Sequence, residues 1–92
     1  MIIQVKRKHI REGETCSGKN CPVALALQEQ LKTLVSVETD VVYLNGDELN
    51  LPRSVQRFIN KFDKEEIPRS KFKPFNFKLP IKKEQLNEIL AS

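Results

Sequence analysis

A chain of 92 residues is about one domain, and at this length only roughly 60–65% of the unfolded surface is buried on folding, too little for a deep enclosed active site. With 39% hydrophobic and 30% charged residues, the composition is that of a folded domain and excludes a disordered or membrane-embedded chain. The formal charge of +4 admits an anionic partner without requiring one, and two cysteines are too few for a disulfide scaffold.

In chain order, "IIQVK" has the β-branched content of a strand, with Ile3 and Val5 on one face. "KRKHIREG" reads as a short helix stopped by Gly13, a residue whose freedom at positive φ suits the position after a helix. "CPVALALQEQLKTL" is the strongest helix signal. Val23, Leu27, Leu31 and Leu34 fall on one stripe, Pro22 suits the first helical position, and Cys21 before it is expected as the N-cap.

Residues 35 to 44 are rich in β-branched side chains, and Asn45-Gly46 predicts a two-residue hairpin turn. Pairing across it sets Val42 opposite Leu49 and Asp40 opposite Leu51. Val35, Val37, Thr39 and Val41 have the opposite parity to Val42 and Leu44, so a bulge or bend is expected near Thr39 or Asp40. "LPRSVQRFINKFD" places Val55, Phe58, Ile59 and Phe62 on a helical core face. In "PFNFKLP", Phe75, Phe77 and Leu79 alternate with Asn76 and Lys78 as in a half-buried strand. "KKEQLNEILA" closes the chain with Leu86, Ile89 and Leu90 on one helical face. The order β-α-β-β-α-β-α is expected to form a single α+β domain over residues 1–92, of two layers. It matches the split βαβ, or ferredoxin-like, arrangement with an extra C-terminal helix.

No apolar run approaches the ~18 residues of a membrane span. "MIIQVKRKHI" sets its apolar residues before its charges, opposite to a secretion signal, so a cytoplasmic location and no membrane partner are expected.

"GETCSGKN" fits the phosphate-loop spacing except at its last position, where Asn20 stands in place of Ser or Thr. Such a loop needs a strand feeding the glycines, a helix beginning at the Lys and a hydroxyl for magnesium. Here a helical turn precedes Gly13, Pro22 starts the next helix late, and Asn20 has no hydroxyl, so nucleotide hydrolysis is disfavoured and no cofactor is expected. Cys16, Cys21 and His9 form a second constellation. Cys-x4-Cys with an upstream His supplies three good zinc ligands where a structural site uses four. A thiol redox role has more behind it, because Cys21 at a helix N-terminus with Lys19 nearby is expected to favour the thiolate, with Cys16 as resolving partner.

Residues 69 to 83 hold six basic residues and no acid: Arg69, Lys71, Lys73, Lys78, Lys82 and Lys83. Interleaved with Phe72, Phe75 and Phe77, they allow phosphate contacts with base stacking. Strand alternation instead turns Phe75 and Phe77 into the core and leaves a solvated basic face.

"HIREGETCSGKNCPVALAL", "RFINKFD" and "KPFNFKL" together resemble a group of small uncharacterised bacteriophage and bacterial proteins, over about two-thirds of the chain. His9, Ile10, Gly13, Cys21, Pro22, Val23, Ala24, Ala26 and Leu27 form the most specific part, and the tail after Leu79 departs from the pattern. The resemblance implies no activity and transfers no functional residues. It does point toward a non-catalytic role in binding a host or phage macromolecule. The expectation is therefore a binding protein with no catalytic residues, using the basic face toward an unidentified acidic macromolecule, a protein in preference to a nucleic acid. The alternative is a thiol-redox or zinc protein on Cys16, Cys21 and His9.

Overall fold

A computed structural model describes residues 1–38, 40–44, 46–81, 84 and 87. Its elements run β1 (Ile2–Val5), α1 (Arg7–Glu12), α2 (Pro22–Leu31), β2 (Val35–Val37), β3 (Val41–Leu44), β4 (Asp47–Asn50), α3 (Arg53–Asp63), a 3-10 turn (Arg69–Lys71) and β5 (Phe75–Lys78). The expected tail helix, with Leu86, Ile89 and Leu90, lies outside the described residues, as do Lys82 and Lys83.

The α+β class is as expected, but the strands form two antiparallel sheets. β1 pairs with β5, setting Ile3 opposite Phe77, while β2, β3 and β4 form a meander. A single split βαβ sheet would need β1 beside the β3–β4 hairpin, and no such pairing occurs among the described residues. α2 packs on both β1 and β2 and so spans the two sheets. One continuous core results, including Ile3 and Phe77 from the first sheet, Val42 and Leu44 from the second, Leu27 from α2 and Val55 from α3.

The hairpin register is the expected one: Val42 pairs with Leu49, Leu44 with Asp47 across the two-residue loop, and Leu51 N–H donates to Asp40 C=O at 2.9 Å. Gly46 has φ +86°, the conformation that such a turn requires. Of the bulge or bend expected at the parity change ahead of it, the chain makes the bend, and reverses there. Val37 pairs with Val42, and Glu38 N–H donates to Val41 C=O at 2.8 Å, around Thr39, which lies outside the described residues. Folding back there buries Val35, Val37, Val42 and Leu44 together, whereas one continuous strand would send the two pairs to opposite faces.

α2 begins as expected. Cys21 is its N-cap, its Sγ accepts from Ala24 N–H at 3.4 Å, and Pro22 occupies the first turn. The helix ends at Leu31 because Lys32 turns left-handed at φ +51°, which removes Leu34 from the buried stripe and leaves it 87% exposed. Gly13 also departs from expectation: its φ is −66°, and it is glycine for space, since a Cβ would lie 2.5 Å from Pro22 Cδ. No helix among the described residues is long and apolar enough to cross a membrane.

Candidate functional site

The loop between α1 and α2 closes on itself. Glu14 N–H donates to Asn20 C=O at 2.8 Å, Asn20 N–H to Ser17 Oγ at 3.1 Å, and Cys21 N–H to Ser17 C=O at 3.2 Å. Gly18 is there to let β2 approach: Val37 N–H donates to its carbonyl at 2.7 Å, and a Cβ would stand 3.0 Å from Val37 O. The two glycines of "GETCSGK" thus answer to Pro22 and Val37, and the spacing that mimics a phosphate loop has a packing origin.

Both cysteines are free and line one open cleft of about 390 Å³ with Ser17, Glu38, Asp40 and Asp63. Cys16 is exposed and held by its N–H, which donates to Asp63 Oδ1 at 2.9 Å. Cys21 is buried, and its thiol is pushed up from the ordinary value. Loss of water is the main cause, partly countered by hydrogen bonds from the Ala24 and Val23 backbone and reinforced by the Asp63 carboxylate. This reverses the expectation of a stabilised thiolate. A thiolate wants cationic neighbours, yet the charged lining of this cleft is acidic, and Lys19 lines a different groove beside Leu34.

His9 is not part of that cleft. The residue is 3% exposed, Nδ1 accepts from Lys6 N–H at 2.9 Å, and Nε2 lies 2.5 Å from Glu29 Oε2. With Nδ1 accepting, the ring proton sits on Nε2 and is donated to Glu29. Lys8 also reaches Glu29 at 2.9 Å, and these two contacts, Lys8 first, hold the Glu29 carboxyl down to about 2. Both ring nitrogens are therefore occupied, and among the described residues no three His, Cys, Asp or Glu side chains are arranged to hold a metal. Glu29 is a partner that sequence reasoning missed; it lies twenty residues from His9, with no local spacing to mark it.

On the basic face, Lys71, Lys73 and Lys78 are exposed. The phenylalanines between them turn inward: Phe72 and Phe77 are buried, Phe75 is half-buried, and Phe72 meets Phe58 edge-on at 5.2 Å between ring centroids. Arg69 differs from the lysines. Its guanidinium donates to Arg11 C=O at 2.9 Å and stands 5.0 Å over the Phe62 ring, tying the 3-10 turn to the end of α1. Arg7 does the same from the other side, donating to Phe72 C=O at 2.7 Å. Arg7, Arg11, Arg69 and Ser70 thereby meet around a second cleft. Sequence reasoning missed Arg7 and Arg11, whose i, i+4 spacing on α1 is the one local signal they carry; that Arg69 joins them is a tertiary fact.

No family model, curated protein or solved structure matches the chain.

Proposed function

We propose that this protein acts non-catalytically, by binding an acidic macromolecule through the face that carries Lys71, Lys73 and Lys78, with Lys82 and Lys83 in the same role. The partner is a protein in preference to a nucleic acid, and the setting is the cytoplasm. The observation behind this reading is that Lys71, Lys73 and Lys78 are exposed while Phe72 and Phe77 between them are buried and Phe75 is half-buried. Single-stranded nucleic acid is held by charge together with stacked rings. The one exposed aromatic among the described residues, Tyr43, stands instead among Glu38, Glu48 and Asp40, which push its phenol up from the ordinary value and would repel a phosphate chain. The resemblance to small phage and bacterial proteins supports the same choice of a binding role. The thiol or zinc alternative on Cys16, Cys21 and His9 has less support, because Cys21 is buried and His9 is fully engaged.

The test is affinity capture from lysate at low and high salt, with and without nuclease, using the wild type and the double variant Lys71→Glu, Lys73→Glu. A stoichiometric protein partner is expected that is lost in the variant. It should also dissociate as the Debye length falls from about 10 Å at 0.1 M salt to about 3 Å at 1 M. Capture that disappears with nuclease would move the reading to nucleic acid; salt-insensitive capture unchanged in the variant would remove the basic face from it.

A further inference from the structure

β1 and β5 make a two-stranded sheet, and their antiparallel register fixes which backbone groups each strand turns outward. Leu79 N–H donates to Met1 C=O at 2.8 Å and the Met1 amino group donates to Leu79 C=O at 3.3 Å, so Leu79, Phe77 and Phe75 direct their N–H and C=O groups at β1. Asn76 and Lys78, with Gln4 and Ile2 opposite them, direct theirs away from the pair. On the β1 side those groups are taken: Gln4 N–H donates to Gln30 Oε1 at 2.6 Å, and Gln30 Nε2 donates to Ile2 C=O at 3.3 Å. The Gln30 carboxamide thus occupies that edge as a neighbouring peptide unit would. On the β5 side no strand pairs, and the backbone groups of Asn76 and Lys78 have no hydrogen-bond partner among the described residues. Both residues are exposed. A two-stranded sheet is marginal by itself, and an open edge is a template for a further strand.

We infer that the free edge of β5 takes an extended acidic segment of a partner protein as a third strand. The inference deepens the binding role proposed above and rests on it, since it states how an acidic partner is held. Charge selects the occupant. Lys71, Lys73 and Lys78 are exposed, no acidic residue occurs between Glu66 and Glu84, and none of the three lysines is ion-paired among the described residues. A carboxylate opposite Lys78 on the solvent face forms a cross-strand pair, and an apolar residue next to it packs on the half-buried Phe75 on the core face. Pro74 and Pro80 have no N–H, which confines the donors of this edge to Asn76 and Lys78 and keeps the paired stretch short. A second copy is a poor occupant. Antiparallel pairing of two β5 edges brings the lysines of both chains together, and lysine and proline on an edge guard against such self-pairing.

The test is NMR of the ¹⁵N-labelled full chain, by amide hydrogen exchange and by titration with the peptide acetyl-Glu-Val-Glu-Val-Glu-Val-Glu-amide. In the free chain the Asn76 and Lys78 amides are expected to exchange fast while Phe77, bonded to β1, is protected. The peptide should shift the β5 amides saturably and slow exchange at Asn76 and Lys78. Methylating the amide nitrogens of the third and fifth peptide residues, glutamates that turn their N–H toward β5, should abolish binding. Methylating the fourth and sixth, valines that turn theirs away, should leave it intact. Lys78→Glu is expected to weaken binding roughly tenfold, with attraction lost and repulsion gained at one cross-strand pair, and to leave protection at Phe77 unchanged. Slow exchange at Asn76 and Lys78 in the free monomer would mean that this chain already covers the edge, and protection that grows with protein concentration would assign the edge to a second copy; either overturns the inference. If the peptide binds whichever amides are methylated and Lys71→Glu with Lys73→Glu abolishes that binding, the edge fails and the basic face stands. If capture from lysate fails while methylation-sensitive binding persists, the basic face fails and the edge stands.

Discussion

His9 and Glu29 show how a polar group is kept inside a small core. The imidazole is buried with both nitrogens hydrogen-bonded, so it carries no unsatisfied donor or acceptor. The carboxyl of Glu29 is held at about 2 in the fold against 4.5 ordinarily. A depressed carboxyl contributes stability above its unfolded value and loses that contribution as pH falls through the folded one. Thermal melting of the wild type is therefore expected to drop between pH 4.5 and 2 more steeply than that of Glu29→Gln; parallel acid limbs would show that the contact contributes nothing. At the cysteines the expectation is selectivity. Ellman's reagent should modify one thiol per native chain, the exposed Cys16, and reach Cys21 only on unfolding. Fast reaction of both would return the redox reading to the front.

Among the elements, α2 is the most local in origin, and its start was readable because Pro22, the Cys21 cap and the apolar stripe all act within a few residues. Its end was not. Nothing in "LKTL" marks Lys32 as the left-handed residue; the chain turns there so that β2 can pair with β3. A non-glycine residue held at positive φ is strained, and Lys32→Gly is expected to stabilise by up to about 1 kcal/mol. A rise in the urea midpoint at constant m-value is the readout, and a fall would mean that the lysine stem contributes more than the strain costs. The β2–β3 turn follows the same logic: the valine parity signalled an interruption, and burial of four valine and leucine side chains decided that it was a reversal.

For the whole molecule, the decisive feature is that two separate sheets share one core through α2. Leu27 is fully buried on that helix. Leu27→Ala is expected to cost about 2–5 kcal/mol, the range for leucine truncation in a core, and to lower hydrogen-exchange protection in both sheets together. Loss confined to one sheet would mean that the two unfold independently. Glu38, Asp40 and Glu48 gather around Tyr43 on the meander, while the exposed lysines and the three-arginine cleft lie with β5, the 3-10 turn and α1.

The chain's own pattern determined the start of α2, the core face of α3, the Asn45-Gly46 register, the alternation of β5 and the α+β class, because each follows from periodicity or capping within a few residues. Tertiary structure decided the rest. It split the strands into two sheets and gave Gly13 and Gly18 packing roles. It withdrew His9 from the cysteines, and it brought Arg69 to Arg7 and Arg11 across about sixty residues of chain. Those outcomes depend on which distant surfaces meet and lose their water together, and no local spacing encodes that choice.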